Sequence, residues 1–282
     1  MLADMLASRG HSLTFHLLEV GARPIGGPPA PTHKLLEIFP GSRLTAFEVD
    51  PDLCEQLNAA SPPHVRYLPH ALGSADETRA FHVTQHPMCS SLYPPDPRWA
   101  EMYHNLDYMR PKETTQIATR RLDGVLAEAN LPPADFIKID VQGAEVDIFR
   151  GAGAAMNGVL LIETEVEFVP LYQGQPLWGD VSACLAGVGL SFHKFLGVSG
   201  RTIKPIVLND NPNAPVQMLW ADAVYLRDLF RLDALGDEQL LKLAVLAEAY
   251  HSADVAFFAL DQFDRRHGTK LALEFVPLEK SA

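Results

Sequence analysis

A chain of 282 residues, 47% of them hydrophobic, can bury a sizeable core, either as one α/β domain with an appendage or as two small domains. Its formal net charge of −12 opposes binding to nucleic-acid phosphates or to an anionic membrane, both of which depend on clustered Lys and Arg. Cys54, Cys89 and Cys184 lie far apart without Cys-x-x-Cys spacing, Met1 to Gly10 carries Asp4 and no signal-like apolar stretch, and no apolar run approaches the roughly 18 residues of a membrane span. The expectation is a cytoplasmic protein with no nucleic-acid or membrane partner.

Phe15 to Ala22 reads as a short buried strand running into a Gly turn, and Thr32 to Phe39 as a brief helix stopped by Pro40-Gly41. Leu44 to Val49 forms the next strand. Asp50 then suits the N-cap and Pro51 the first position of a helix that runs to about Ala60. Val65 to Leu68 is a third strand and Arg79 to Val83 a fourth extended segment, followed by a Pro-, Ser- and Tyr-rich loop from Gln85 to Pro111. His82 and His86 fall in extended sequence, so they do not share a helical turn as ligands, and no metal site is expected.

Gln116 to Leu122 is extended and Asp123 to Ala129 helical. Apolar Phe136, Ile137 and Ile139 then mark a buried parallel strand, and Gly143 interrupts the run before Ala144 to Arg150 resumes with helical spacing. Gly158 to Glu165 is another strand and Asp180 to Val188 a helix. Phe192 to Val198 and Gln217 to Leu226 pair as an antiparallel hairpin. From Glu238 to Asp261 the spacing is helical with a break near His251-Ser252, giving a tail that either docks on the rest of the chain or joins two copies in a homodimer. The β-α rhythm predicts a doubly wound, mostly parallel sheet with an antiparallel C-terminal hairpin, as residues 1–230, and a helical extension over 231–282.

In such sheets ligands bind beyond the carboxyl ends of the strands. Side chains repeat every second residue along a strand, so Lys138 and Asp140 share one face, as do Glu163 and Glu165 on the following strand. Carboxylates that converge there raise one another's pKa, which suits a general base. A buried structural ion pair and a solvated acidic strand end are the alternatives.

The run Phe136-Ile-Lys-Ile-Asp-Val-Gln-Gly-Ala-Glu-Val-Asp-Ile-Phe-Arg-Gly151 resembles the signature of the FkbM family of S-adenosylmethionine-dependent methyltransferases, Lys-Ile-Asp-Val-x-Gly-x-Glu followed by a helix ending in Gly. A weaker likeness extends from about Phe15 to Arg227. It implies a Rossmann-like methyltransferase fold and O-methylation of a sugar or secondary metabolite, with S-adenosylmethionine as cofactor and a small-molecule or glycan acceptor. Glu19, Gly21, Ala22, Gly26, Glu48, Ala71 and Asp140 would hold the cofactor. A carboxylate at Glu48 suits ribose hydroxyls because it only accepts hydrogen bonds and can take two. Lys138, Asp140 and Glu163 would be catalytic, and Ser90, Ser91, Glu165 and Tyr172 would meet the acceptor, while Glu145 would hold the helix start. Arg23-Pro24-Ile25 and the prolines after Gly26 depart from the family's first loop, Asp-x-Gly-Ala-Asn-x-Gly. That departure leaves room for a non-catalytic interaction module on the same fold. A nicotinamide-dependent oxidoreductase is a further alternative, against which the missing Gly-x-Gly-x-x-Gly tells.

Overall fold

The computed structural model describes residues 2–24, 30–214 and 216–276. A short helix, α1 (Leu2–Ser8), precedes β1 (His16–Val20), and α2 (Leu35–Ile38), β2 (Arg43–Phe47), α3 (Pro51–Ala60) and β3 (Val65–Leu68) continue the alternation. The chain proceeds through β4 (Ala71–Leu72), β5 (Glu77–Thr84), α4 (Pro97–Met102), β6 (Pro111–Arg120), α5 (Leu122–Glu128), β7 (Phe136–Ile139), α6 (Glu145–Ala152), β8 (Leu161–Glu167) and α7 (Trp178–Ala186). The long strands β9 (Leu190–Arg201) and β10 (Gln217–Arg227) lead to α8 (Asp237–Ala249), α9 (Ala253–His267) and α10 (Leu271–Phe275).

Seven strands form one sheet in the order β3-β2-β1-β7-β8-β10-β9, parallel except that β10 runs antiparallel to both β8 and β9. This is the doubly wound sheet with its closing hairpin that the alternating pattern predicts. Asp50 caps α3 as expected, accepting from the backbone N–H groups of Asp52 and Leu53, both at 3.1 Å. Such a cap contributes about 1 kcal/mol.

Two segments find partners that local pattern does not disclose. β5 and β6, expected as further extended pieces of the rhythm, pair with each other and with β4 in a separate three-stranded sheet of order β4-β6-β5. The stretch from Gln85 to Pro111 carries α4 and builds a small core of its own, in which Tyr103, Leu106 and Met109 pack with Leu171 and Leu219. Thr32 to Phe39 is a 3-10 turn, Pro31–Lys34, followed by the single turn of α2 rather than one continuous helix.

The period-2 alternation of the central strands sorts the core into two layers. Leu17, Phe136, Leu161 and Val224 face α8, α9, α10 and α1, whereas Leu18, Ile137, Ile162 and Tyr225 face α5, α6 and α7. Leu240, Leu243, Leu246 and Leu260 are fully buried in the first layer. At about 1.5–3 kcal/mol per buried leucine, the helices over 237–275 are a large part of what holds that face of the sheet. Their break falls where expected, at Tyr250, His251 and Ser252, with His251 at φ 56°.

Candidate functional site

The site grows from the way β1 and β7 end. Asp140, just past β7, donates its N–H to Val20 O at 3.1 Å. The chain then turns through Gln142 (φ 58°) and Gly143 (φ 98°) before α6. Glu145 closes this turn, its Oε1 accepting from Val141 N at 2.9 Å and Gly143 N at 3.3 Å. Burial pushes its carboxyl up to about 7, and its place is the helix start, as the sequence implies. Gly21 ends β1 at φ 78°, and a Cβ there would stand 2.0 Å from the Asp140 carbonyl oxygen. The glycine is therefore required by the chain's own close approach of β1 to β7, and not only by a ligand. Gly151 lies inside α6 rather than ending it. A Cβ there would meet Gly73 O at 2.0 Å, so this glycine brings the helix against the turn after β4.

Two cavities open at this edge. The first, about 260 Å³, lies between the carboxyl ends of β1 and β2 and the small second sheet. Gly21, Glu48, Ala71, Ser90, Ser91 and Asp140 line it beside apolar Phe47, Leu72, Phe81, Val83 and Ile148. The second, about 140 Å³, is lined by Tyr108, Glu165, Glu167 and Trp220 among others, and it shares Met88, Asp140 and Gln142 with the first.

Gln142 occupies the boundary and is locked from every side. Its Nε2 donates to Asp140 Oδ1 and Glu165 Oε2, both at 2.6 Å, and its Oε1 lies 2.9 Å from the hydroxyl of fully buried Tyr172. The backbone carbonyl of Gln142 accepts from Ser91 Oγ at 2.7 Å. Burial, augmented for Glu165 by the charge of Asp140, pushes the Glu165 and Glu167 carboxyls well above the usual carboxylate range and raises Asp140 as well. Burial and the crowding of like charges therefore both disfavour full ionisation of this cluster.

The predicted residues divide. Gly21, Glu48, Ala71, Ser90, Ser91 and Asp140 meet at the first cavity, and Asp140 and Glu165 meet at the second. Lys138 and Glu163, expected at the reacting centre, line neither. They pair with each other as register neighbours on β7 and β8, and the second oxygen of Glu163 accepts from Tyr250 OH at the end of α8. Both Glu163 oxygens are thus engaged away from the two cavities. Glu19 is likewise drawn aside, accepting from His33 Nε2 at 2.7 Å. The Ala22 N–H is satisfied by Phe47 O at 3.0 Å, and Ala22 does not line the first cavity. Gly26 lies outside the described residues.

Ser91 and Tyr172 act through Gln142, because their hydroxyls hold that residue in place. Ser90 Oγ accepts from Thr84 N at 3.2 Å. Glu48 is 3% exposed, and its Oε1 takes Arg23 Nη2 at 3.2 Å and Asp50 N at 3.1 Å. No hydrogen bond reaches its Oε2 among the described residues. Arg23, noted in the sequence only as a departure from pattern, is thus a partner of a site carboxylate. Gln142 and Glu167 were missed. Glu167 continues the alternation of Glu163 and Glu165 by one more step, so extending that period by two residues finds it.

Residues 19–192 match the family model described as methyltransferase FkbM domain, more than half of the chain. The chain belongs to the FkbM methyltransferase family. Its signature run is the turn built around Asp140, Gln142 and Glu145. Among curated proteins, the 2-O-methyltransferase NoeI of Sinorhizobium fredii is 27% identical over 151 residues, which is 50% of this chain and 60% of that protein. Among solved structures, an FkbM methyltransferase from Methylobacillus flagellatus aligns with 79% of this chain and 47% of its own at 13% identity and TM-score 0.38. The magnesium protoporphyrin IX methyltransferase of Synechocystis, solved with bound S-adenosylmethionine, aligns with 80% of this chain and 76% of its own at 9% identity and TM-score 0.36. Among the described residues of this FkbM-family chain, no helix is long and apolar enough to cross a membrane, and no group of three or more His, Cys, Asp and Glu is arranged to hold a metal ion.

Proposed function

We propose that this FkbM-family chain is an S-adenosylmethionine-dependent O-methyltransferase, with its cofactor in the first cavity and a hydroxyl of a sugar or secondary metabolite presented from the second. The observation that carries the reading is that the two cavities meet at Met88, Asp140 and Gln142, so a donor on one side and an acceptor on the other can meet at that boundary. The residues of the first cavity fit the cofactor. Phe47, Leu72, Phe81 and Ile148 supply apolar walls for a purine. Glu48 Oε2 supplies an open acceptor for a ribose hydroxyl. S-adenosylmethionine contributes, when bound, a methyl group on a positively charged sulfur.

The chain's own work is alignment and exclusion of water. Methyl transfer depends on bringing an oxygen onto the methyl carbon in line, which is a gain of orientation rather than of acid strength. Gln142, fixed by Tyr172 and Ser91, holds Asp140 and Glu165 at the meeting point. Helices α8, α9 and α10, over residues 237–275, then serve as the cover of that sheet face, where their apolar side chains are already buried.

Titration calorimetry of the purified protein with S-adenosylmethionine, S-adenosylhomocysteine and NAD tests this without knowledge of the acceptor. The expected result is micromolar binding of both sulfur compounds and none of NAD. If neither sulfur compound binds, the reading falls to the non-catalytic module, and NAD binding would favour the oxidoreductase.

A further inference from the structure

We propose that the carboxyl cluster Asp140, Glu165 and Glu167 is the site's proton store, releasing a proton when the sulfonium enters the first cavity and taking up the acceptor hydroxyl's proton, on Glu165, as the methyl is transferred. The inference rests on the function proposed above and places at Glu165 the general base that converging carboxylates suit.

Geometry carries it. A methyl donor that serves the second cavity must bring its positive sulfur to the boundary, and the boundary is Asp140, whose neighbour through Gln142 is Glu165. The charged residues that line the second cavity, among the described residues, are Asp140, Glu165 and Glu167, with no Lys, Arg or His. The charges around the cluster do not neutralise it. From β7 comes Lys138, already paired with Glu163 of β8, and from β10 comes the carboxyl of Asp222. Glu145 stands at the start of α6 and Glu19 lies beyond Lys138 on β1. Cys89, Tyr108 and Tyr172 are neutral neighbours. Arg201 stacks over Trp220, 4.7 Å from the ring centroid, and donates to Tyr108 OH at 3.1 Å. The cluster thus faces an excess of acid, with Lys138 paired to Glu163 and Arg201 held against Trp220 and Tyr108. Burial and mutual repulsion push these carboxyls up, which favours holding a proton there.

The charges balance through the cycle. As the sulfonium binds, one proton leaves the cluster to solvent, so a positive sulfur faces one added negative charge. At transfer the oxygen–methyl bond forms, the sulfur–methyl bond breaks with its electron pair left on sulfur, and the hydroxyl proton moves to a Glu165 oxygen. The product side holds a neutral thioether and a reprotonated cluster. Net charge in the buried site is the same before and after, which avoids the cost of an uncompensated buried charge.

The test is calorimetry of the full chain with S-adenosylmethionine and with S-adenosylhomocysteine at one pH near 7, each in phosphate and in Tris, whose ionisation enthalpies differ. The inference expects an enthalpy of S-adenosylmethionine binding that differs between the buffers by the equivalent of more than about half a proton released, and no difference for S-adenosylhomocysteine. Because a proton is released, affinity for S-adenosylmethionine should rise with pH by up to about tenfold per pH unit below the cluster's titration, with the other ligand flat. Glu165→Gln should abolish the buffer dependence of S-adenosylmethionine binding, and Glu167→Gln should reduce it. Equal enthalpies in the two buffers, or the same release with both ligands, would overturn the inference while leaving the function standing. Failure of both ligands to bind would instead overturn the function beneath it. The wild-type comparison decides even if a variant does not fold.

Discussion

Glu163 is placed where it should stabilise the fold and contribute nothing direct to ligand binding, and Tyr250→Phe probes this with little change in packing. The phenylalanine ring keeps the place of Tyr250, which is 2% exposed and lies 5.8 Å from the Phe136 ring, so no cavity is created. What is lost is one charge-assisted hydrogen bond to a carboxylate whose side chain is 7% exposed. Such a bond contributes about 1.5–3 kcal/mol. Glu163→Gln keeps a hydroxyl partner but removes the charge that Lys138 faces. Lys138, with its side chain 39% exposed, recovers part of its hydration, so the cost should be similar rather than larger. Lys138→Met leaves the carboxylate with Tyr250 alone and should cost most, about 3–5 kcal/mol as for breaking a buried pair. Combining Tyr250→Phe with Glu163→Gln should show a coupling of about 1 kcal/mol or more, since the two touch directly. Urea unfolding followed by circular dichroism reads these values, and at a slope of about 3 kcal/mol per molar a 2 kcal/mol loss moves the midpoint by roughly 0.7 M. Calorimetry on the same samples should find S-adenosylmethionine affinity unchanged. An unchanged midpoint with lost affinity would refute the assignment and return Lys138 and Glu163 to the reacting centre.

Glu48→Ala should weaken S-adenosylmethionine binding by about 1.5–3 kcal/mol, roughly ten- to a hundredfold in Kd; unchanged affinity by calorimetry would remove Glu48 from the site. Gly151→Ala forces a methyl against the Gly73 carbonyl and should cost about 3 kcal/mol, the upper end of overpacking, seen as a lowered Tm. An unchanged Tm would mean that α6 does not approach that turn so closely. The Glu145 carboxyl is pushed up from the ordinary 4.5 to about 7, so the folded state binds more protons than the unfolded chain between those values, and wild-type stability falls as pH rises through them. Glu145→Gln removes this dependence, so its stability relative to wild type should climb across pH 4.5 to 7 by on the order of 2–3 kcal/mol and then level off. A constant difference in denaturation midpoints over that range would contradict the buried, protonated state of Glu145.

Local pattern made the main sheet legible. Asp50-Pro51 marks a helix start wherever it is met, and the period of two along β7 and β8 correctly puts Lys138 with Asp140 and Glu163 with Glu165 on one face. What that period does not contain is depth along the strand. Glu163 and Glu165 differ by one step, yet Glu163 meets Tyr250, 87 residues away in sequence, and Glu165 meets a cavity. The same blindness to distant partners explains β5 and β6, which read as extended but whose pairing with each other cannot be told from pairing with the main sheet. Arg23 looked like damage to a glycine loop because its value lies in Glu48, on another strand. The glycines were legible as required positions, but the agent that requires Gly21, the Asp140 carbonyl, comes from the far half of the chain.

The two layers of the sheet are completed at different moments of synthesis. Helices α5, α6 and α7 cover one layer by residue 186, but the other waits for α8, α9 and α10, over residues 237–275, which join α1 from the opposite end of the described chain. At synthesis rates of about 5–20 residues per second, the face bearing Leu17, Phe136 and Leu161 stays uncovered on the ribosome for roughly 5–20 seconds after β8 has emerged. Nascent chains of this protein should therefore bind holdase chaperones most strongly in that interval, and the ligand cavities should become competent only once the last helices have closed the sheet from behind.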